Sequence, residues 1–560
     1  MISLDQNCHP LWDVYPKLHA LAARGIRVVQ YIEDFDTAFT AVGAVSNAPL
    51  RLAKERFYRS GGADWGAALF YNEFLGRLPT EIRAWEPYTG MKTDVLARHL
   101  GVSVDDLYDR HSPGDNWQLI GPSYLNGDTR RHHTIGDLML FDETFEHARR
   151  LFDHLAREDM ERCFPESHSR EAAGRFCSML WSSLIEMGAV RSPTLTDFYL
   201  GLADDAFVYN YFGQTTTPSG FAVNHVTGSQ KHHYQNGIEF IRGSELPGIG
   251  VDSPVLSLFL THYERAAALY NQAVVETHPG LRTLDIAAGE LPFFGVYEHD
   301  GHKVRSPMFL QGDVVRIADM EFRVRDGRLS GEELDRAGVT QLPGKAIVLV
   351  LQLRTGPHAD RLALPYHGSS YMPTAYRFQR LLCDAGLLDA ASVKPVVRVR
   401  LRFLDRLRDV HTTIALPPHL ADAMGKSELP ACELGKHWAD VQTDARERLA
   451  QLADPAGRSR WMHTALPDVT RDLADLDGRR RALAAANEKD PQLRDIWKQI
   501  KPLQQRQLAA LVQQIDRDWQ LKDLGYYDSR GAIWPWCLAL GGEEFYNQVI
   551  RQADVYEENA

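Results

Sequence analysis

Cysteine is scarce in this sequence, and the few that occur are scattered. The chain has six cysteines in 560 residues, and none of them forms a Cys-x-x-Cys pair. Zinc ribbons and disulfide-stapled domains need closely spaced or paired cysteines, so this pattern argues against both classes. Unpaired cysteines fit a reducing compartment, and we expect a cytoplasmic protein.

Long hydrophobic runs are also missing. No stretch approaches the roughly 18 consecutive apolar residues of a membrane helix. The segment from Met1 to Gln6 has neither the basic region nor the apolar core of a secretory signal. The sequence therefore predicts a protein that is neither embedded in a membrane nor exported by such a signal.

Several familiar motifs are absent. There is no Gly-x-Ser-x-Gly elbow and no Gly-x-Gly-x-x-Gly after a predicted strand, which disfavours an α/β-hydrolase or a dinucleotide enzyme. Gly425 to Ser427 is similar to the end of a phosphate-binding loop, but Leu420 stands where the first glycine is needed. No pattern identifies a cofactor, so the cofactor is unknown from the sequence.

An excess of positive charge is missing as well. The chain has 62 basic and 74 acidic residues, which gives a formal net charge of −12. Proteins that bind bulk nucleic acid carry a basic surface, so we expect no such partner. A small-molecule substrate is the partner that this composition leaves open.

What the sequence does contain is the alternation of an α/β protein. Residues 26–32 read as a strand, and Ala346 to Leu351, within 345–354, reads as an interior strand because it is an unbroken apolar run. A short extended piece at 361–364, a helix at 374–385 and a strand at 395–400 follow. We predict a Rossmann-like parallel-sheet core.

The chain changes character along its length, which suggests four regions. Residues 1–50 are expected to form the first part of the α/β core and residues 51–280 a large, mainly helical insertion. Residues 281–430 are expected to hold a small β-rich segment, with hairpins at Asp300-Gly301 and Asp326-Gly327, followed by the second part of the core. Residues 431–560 are expected to form a C-terminal helical arm.

The arm carries an apolar stripe that predicts a helical hairpin. Leucine, isoleucine and valine recur at spacings near 3.5 from Val469 to Leu483 and again from Leu493 to Ile515. Such a stripe can form the seam of a coiled-coil homodimer, or it can pack on the core of its own chain. The sequence leaves both open.

Carboxylates follow the first predicted strand. Asp34 and Asp36 come just after it, where carboxylates orient ligands or transfer protons in α/β enzymes. With His133, they are our candidate acid, base or orienting groups. Solvated turn carboxylates are the alternative for the two aspartates.

A polar loop precedes the helix at 374–385 and is the second candidate. His367, Ser369, Ser370 and Tyr371 supply imidazole, hydroxyl and phenol groups where a strand ends, so we predict that they bind substrate. Turn geometry alone would also explain Gly-Ser-Ser.

The histidines allow a metal site. Neutral imidazole is a common ligand of first-row metals, but no His-x-x-x-His with a paired acid lies on a convincing helix. Surface or hydrogen-bonded histidines are the plainer interpretation, and we assign no metal ligand. The histidines concerned are His132, His133, His225, His232, His233, His299, His302 and His367.

The order of these segments resembles the bacillithiol biosynthesis cysteine-adding enzymes, mainly in the C-terminal half. The resemblance rests on 289–301, on Leu329 to Leu334, on Leu364 to Ser370, and on the closing Trp534 to Phe545. The Gly-Glu-Asp-His-Asp signature of that family is not present, and its nearest counterpart, Tyr31 to Asp36, has Phe35 in place of histidine. The resemblance implies the fold more directly than the reaction.

Three functions are consistent with these observations. The favoured one is a cytoplasmic biosynthetic enzyme, of ligase or transferase type, that joins an amino-acid-like nucleophile to a small polar acceptor. The first alternative is a metal-dependent enzyme that uses the histidines near positions 132, 225 and 232. The second is a non-catalytic assembly protein that acts through its helical arm.

Overall fold

The computed structural model describes a large part of the chain. The described residues are 1–6, 11–35, 84–104, 107, 134, 163–171, 174–175, 223–225, 232–234, 238–277, 281–366, 371–525 and 533–558. Asp36, His133, His367, Ser369 and Ser370 lie outside them.

Strands occur in three groups along the described residues. They are β1 (Ile2–Gln6), β2 (Val28–Glu33), β3 (Val223–His225), β4 (His232–Tyr234), β5 (Ile238–Arg242), β6 (Glu290–His299), β7 (His302–Gln311), β8 (Val314–Ile317), β9 (Met320–Arg323), β10 (Val339–Gln341), β11 (Leu362–Pro365), β12 (Val396–Arg400), β13 (Thr413–Ala415), β14 (Glu428–Pro430) and β15 (Asp554–Glu558).

Helices connect the strands and make up most of the described C-terminal region. They are α1 (Leu11–Ala22), α2 (Glu86–Thr89), α3 (Thr93–Leu100), α4 (Pro254–Thr261), α5 (Tyr263–Thr277), α6 (Gly331–Arg336), α7 (Ala346–Gln352), α8 (Met372–Asp384), α9 (Phe403–Arg406), α10 (Pro418–Met424), α11 (Ala431–Ala453), α12 (Pro455–Ala465), α13 (Pro467–Ala486), α14 (Gln492–Leu521) and α15 (Ile533–Arg551). None of these helices is both long and apolar enough to cross a bilayer.

The larger sheet is assembled from distant parts of the chain, as predicted. Within the described residues its strand order is β15-β12-β11-β1-β2-β5-β4-β3. The five central strands, β12, β11, β1, β2 and β5, are parallel, while β15 on one side and β4 and β3 on the other are antiparallel. The parallel strands all end at one edge, which we name the carboxyl edge.

Counted along the chain, the five parallel strands have the spatial order 3-2-1-4-5. The first strand, β1, lies in the middle, with β2 on one side and β11 on the other. The direction in which strands are added therefore reverses between β1 and β11. In open parallel sheets, a crevice forms at the carboxyl edge where the direction reverses.

Both faces of the parallel sheet are covered. On one face, Ile2, Tyr31 and Leu362 join a large apolar core with α4, α5, α7 and α8. On the other face, Ser3 and Gln30 alternate with those residues and are also buried. Helix α1 contacts β2 and β12 and packs against α15. Such cover is typical of parallel sheets, which are buried on both faces.

The β-rich segment forms a separate antiparallel sheet with the order β10-β6-β7-β8-β9. Both predicted hairpin turns are confirmed. Asp300 and Gly301 have φ of 52° and 77°, and Asp326 and Gly327 have φ of 50° and 69°. Two consecutive positive φ values are the mark of a type I′ turn, which matches the twist of the strands that it joins.

The predicted strand at 345–354 is wrong. Residues Ala346–Gln352 form helix α7, in which the Val348 and Leu349 amides donate to the Lys345 carbonyl oxygen at 2.7 and 2.8 Å. The expected burial is correct, since Ile347 to Gln352 are all buried. A helix that is buried on every side shows no polar face, so its sequence looks like that of a covered strand.

The other core elements agree with the sequence. Strands β2, β11 and β12 occur where extended structure was predicted, and α8 begins two residues earlier than expected. Gly386 follows α8 with φ of 67°, which is the left-handed conformation that commonly ends a helix. Strands β3 to β5 lie within the stretch expected to be mainly helical, and they extend the sheet.

The predicted helical hairpin in the arm is confirmed. Helices α13 and α14 are joined by five residues, and the Gln507 amide donates to the Thr470 hydroxyl at 3.1 Å. At its base, Leu508 and Leu511 pack into a second apolar core with Trp85, α3 and α11. Much of the stripe therefore packs within its own chain. Near the turn, Trp497 is 49% exposed, under the Arg480 guanidinium.

A buried histidine ties α1 to α15 and makes the stability of this face depend on pH. Nδ1 of His19 lies 2.8 Å from the Tyr546 hydroxyl, and burial lowers the pKa of His19 to about 3. The native state keeps this imidazole neutral, whereas the unfolded chain takes up a proton below pH 6.5 or so. Stability from this group is therefore complete above that pH and is lost as the pH falls.

We expect His19 to contribute a loss of about 2 kcal/mol in the free energy of unfolding between pH 7 and pH 5. Urea unfolding of the wild-type protein and of His19→Gln at both pH values measures it, because glutamine does not titrate. The variant should lose about that much less than the wild-type protein over this interval. Equal losses in the two proteins would show that His19 does not carry this linkage.

Candidate functional site

Two strand ends meet at the carboxyl edge with charged side chains. Strands β2 and β5 pair in parallel, with Ile32 opposite Arg242, so both end at the same level. Asp34 follows β2 directly, and Phe35, which is 1% exposed, anchors the next position in the core. A 3₁₀ turn at Gly243–Glu245 follows β5. The sequence thus fixes Asp34 between a strand and a buried aromatic ring.

Asp34 is a buried carboxyl group with one oxygen left over. Asp34 as a whole is only 5% exposed. The backbone of Ser244 and its own backbone hydrogen-bond to the carboxyl group. Its Oδ1 atom, in contrast, is buried and has no hydrogen-bond partner among the residues that the structure describes. A buried oxygen without a partner costs free energy, so this arrangement is explained most simply by a ligand or a water.

The electrostatics of Asp34 favour its uncharged form. Burial raises the pKa of Asp34 above the ordinary value, although the positive charges of Lys303 and Arg242 oppose that rise. A carboxyl group with a raised pKa holds its proton at a higher pH than a solvated one. Such groups occur most often at functional sites, where they act as acids or bases.

A second buried oxygen lies beside Lys303. The Thr134 amide donates to the Lys303 carbonyl oxygen at 2.9 Å. Thr134 is fully buried, and its hydroxyl has no partner within the described part of the chain. Lys303 itself and Arg242 are half-buried, so part of each residue is exposed to solvent. Two unsatisfied polar atoms thus lie near one lysine.

The antiparallel sheet closes over this part of the carboxyl edge. Strand β7 carries Lys303, and in β10 the Gln341 amide donates to the Gly243 carbonyl oxygen at 3.0 Å. Asp34 therefore lies where the two sheets meet. Sites at such junctions combine a rigid frame with low solvent exposure, which strengthens electrostatic interactions.

A separate charged cluster lies further along the same sheet and has a structural explanation. The Glu290 carboxylate accepts hydrogen bonds from Arg282, from Lys345 Nζ at 2.7 Å and from the Asp285 amide at 2.9 Å. Burial alone would raise the pKa of Glu290, but Lys345, Asp285 and Arg282 together lower it. This carboxylate stays charged and links β6 to the start of α7.

The structure describes only part of the residues predicted to form the site. Asp34 lies at a strand end as expected, and Tyr371 precedes α8 and packs partly buried against the large core. The other five predicted site residues lie outside the described residues. Sequence reasoning did not name Arg242, Lys303 or Thr134. A basic residue at the end of an apolar strand, as in Phe240-Ile241-Arg242, was the one signal that could have found Arg242.

The histidines form no metal centre in the described residues. His225 pairs with His232 across β3 and β4, which is a fact of strand register alone. No group of three or more histidine, cysteine, aspartate or glutamate side chains that could hold a metal is found where the structure describes the chain. The metal-dependent alternative stays a prediction.

One groove lies away from the strand ends. It has a volume of about 590 Å³ and is lined by α10, α12 and α14, with Trp461 and Arg517 among its residues. Most of its lining residues are apolar or amide side chains, and none of them is among the described residues with a buried polar atom that lacks a hydrogen-bond partner. Chemistry therefore points to Asp34 rather than to the groove.

Comparison with known proteins gives no family. No protein-family model matches this chain, and no curated protein sequence matches it.

Proposed function

We propose that this chain is an enzyme of transferase or ligase type. It binds a small polar substrate at the carboxyl edge and uses Asp34 to move a proton. The observation that carries the proposal is the buried Asp34 carboxyl group, with its raised pKa and an oxygen that has no partner among the described residues.

The fold supports the location. A strand order of 3-2-1-4-5 with helices on both faces supports the proposal that the sheet is doubly wound and Rossmann-like. In such sheets ligands bind outside the carboxyl ends of the strands, because the crevice there is open while the sheet stays rigid. Asp34 is at this edge.

The chemistry of Asp34 fits the transfer of a group to a nucleophile. An amino-acid-like nucleophile is protonated at neutral pH and must lose a proton before it attacks. A carboxyl group whose pKa burial has raised is a stronger base than a solvated one, so it accepts such a proton more readily. In the reverse role the same group protonates a leaving group.

A cytoplasmic location accompanies this proposal. Cys163, Cys383, Cys432 and Cys537 are all free, and no disulfide links any pair of them. Thiols that stay unpaired suit a reducing compartment.

The resemblance to the bacillithiol cysteine-adding enzymes stays a prediction, and it implies the fold more directly than the reaction. The β6–β7 hairpin and the Glu-Glu-Leu start of α6 occur in the expected order. The next element is helix α7 instead of the expected strand. We therefore extend the proposal to the joining of two small molecules and not to a particular thiol.

Incubation with a metabolite extract tests the function. The wild-type protein should consume two metabolites and form a product that contains parts of both, detected by mass spectrometry. Asp34→Asn should form little of it. Asp313→Asn, which changes an exposed aspartate in the turn between β7 and β8, should form as much as the wild type.

Two outcomes contradict the proposal. If Asp34→Asn forms the product at the wild-type rate, Asp34 transfers no proton. If a native extract that contains nucleotides and amino acids yields no product with any of the three proteins, the chain is not an enzyme of this class.

A further inference from the structure

A cavity lies towards the amino ends of the parallel strands, away from the carboxyl edge. The chain runs from the carboxyl end of β11 through α8 to the start of β12, so the last turn of α8 and residues 387–392 lie near the amino ends. Together with α4 and the end of α7, they enclose a pocket of about 440 Å³. We name it the amino-end pocket.

The walls of the amino-end pocket are mostly apolar. Six of the side chains that line it are valine or leucine, and four of these six are buried in the large core. They come from three helices and one loop, and they are Val255, Leu258, Leu351, Leu382, Leu387 and Leu388. Pockets of this size with such walls are typical of sites for small molecules.

The polar groups of the pocket are few, and several are already used. The hydroxyls of Thr261, Thr355 and Ser392 donate to backbone carbonyl oxygens at 2.8, 2.7 and 2.6 Å. Asp389 supplies the one carboxylate among the described lining residues. Its Oδ1 accepts a hydrogen bond from the Ala391 amide at 3.1 Å, and no described residue donates to its Oδ2.

The Asp389 carboxylate selects the head group of a ligand. An ionised carboxylate only accepts hydrogen bonds, so the ligand must donate one, and a second carboxylate would be repelled. The net charge around the pocket makes no such selection. The charged residues that flank it on the same elements have both signs, and they include Asp252, Glu264, Arg265, Arg380, Asp384 and Lys394.

A catalytic triad does not explain this pocket. Ser257 and His262 line it together with Asp389. A triad needs hydrogen bonds from serine to histidine and from histidine to aspartate, and neither bond joins these three described residues. Their polar atoms are therefore binding groups.

We propose that the amino-end pocket binds a small molecule with an apolar body and a head that donates a hydrogen bond, an amine or an alcohol. The body lies against the valine and leucine side chains, and the head donates to Asp389. This site is separate from Asp34 and does not depend on the proposed function.

Isothermal titration of the full chain with three probes that share one apolar body tests the inference. The probes are phenylpropylamine, phenylpropanol and phenylpropionate. We expect the amine and the alcohol to bind one saturable site and the carboxylate to bind it more weakly, by roughly twofold to fivefold or more. Tighter binding of the amine than of the alcohol assigns an amine ligand, and the reverse assigns an alcohol.

Asp389→Asn should change the order of the probes. Asparagine caps a helical turn much as aspartate does, so the fold should be kept. Affinity for the amine should fall by roughly twofold to fivefold, and affinity for the carboxylate should rise. Asp384→Asn is the matched control, because it removes an exposed carboxylate of α8 that does not line the pocket. It should leave the order unchanged.

Leu388→Trp and Ser257→Phe fill the pocket from opposite walls and should abolish binding of all three probes. Thermal unfolding of both variants checks that they fold. The inference fails if neither the amine nor the alcohol binds saturably, if phenylpropionate binds as tightly as both, or if a folded Leu388→Trp binds like the wild type. If both filled variants misfold, the reversed order in Asp389→Asn decides.

Discussion

Asp34→Asn is expected to lower turnover roughly 10²- to 10⁴-fold, the range that a general acid or base contributes. Asparagine has nearly the same shape as aspartate, but its amide neither gains nor loses a proton near neutral pH. Initial rates of product formation by the wild type, Asp34→Asn and the exposed control Asp313→Asn measure the effect. The loss should appear in kcat more than in KM, since binding contacts remain.

The same substitution should not destabilise the protein. Burial raises the pKa of Asp34, so the native state holds its proton more tightly than the unfolded chain does. Its contribution to stability therefore falls as the pH rises from the ordinary value through the raised one. At pH 8 the free energy of unfolding of Asp34→Asn should equal or exceed that of the wild type.

Urea unfolding of the wild type and of Asp34→Asn at pH 5 and pH 8 measures this effect on stability. The advantage of Asp34→Asn should be larger at pH 8. A carboxylate that served mainly as an ion-pair partner of Lys303 would give the opposite result, because its loss would destabilise the protein most at pH 8. Marked destabilisation together with full turnover would assign Asp34 a structural role.

Glu290→Gln is expected to cost about 3 kcal/mol of unfolding free energy, the lower end of the range for breaking a buried ion pair. The Glu290 side chain is only 2% exposed and binds both Lys345 and Arg282. Removal of its charge leaves Lys345 in a site where burial already lowers the pKa of the ammonium group. We expect the lower end of that range because Lys345 and Arg282 are both partly exposed.

A double variant distinguishes this explanation from a loss of packing. Glu290→Gln combined with Lys345→Met removes the carboxylate and its closest cation, so it should be more stable than Glu290→Gln alone. Glu321→Gln breaks the exposed pair with Arg316 and should change stability by less than about 1 kcal/mol. Equal losses in all three variants would show that burial of the pair is immaterial.

Structural elements that a short stretch of sequence specifies could be predicted. The Asp-Gly turns at 300 and 326 need positive φ, and only a few residue types accept it. Gly386 stops α8 for a similar reason. Helix α7 could not be predicted, because a run such as Ala346 to Leu351 is apolar at every position and so has no measurable period.

The position of Lys303 and Thr134 near Asp34 could not be predicted, for a different reason. Thr134, Arg242 and Lys303 are about 100 to 270 residues away along the chain, and only the meeting of two sheets brings them together. Nothing in the sequence around Lys303 shows that a hairpin strand covers the end of a strand from another sheet. The rule that functional residues follow parallel strands located Asp34 and could have located Arg242 at the end of β5, but it could not locate Lys303 or Thr134.

The strand order also affects how the chain can fold during synthesis. Ile2 of the central strand pairs with Leu362, so about 360 residues must be made before β1 gains its second neighbour. At roughly 5–20 residues per second, a ribosome needs about 20–70 seconds for that interval. Throughout it, one side of β1 exposes unpaired backbone amides and carbonyls, which other chains can bind. Newly made chains should therefore depend on chaperones, and a fragment that ends before β11 should aggregate.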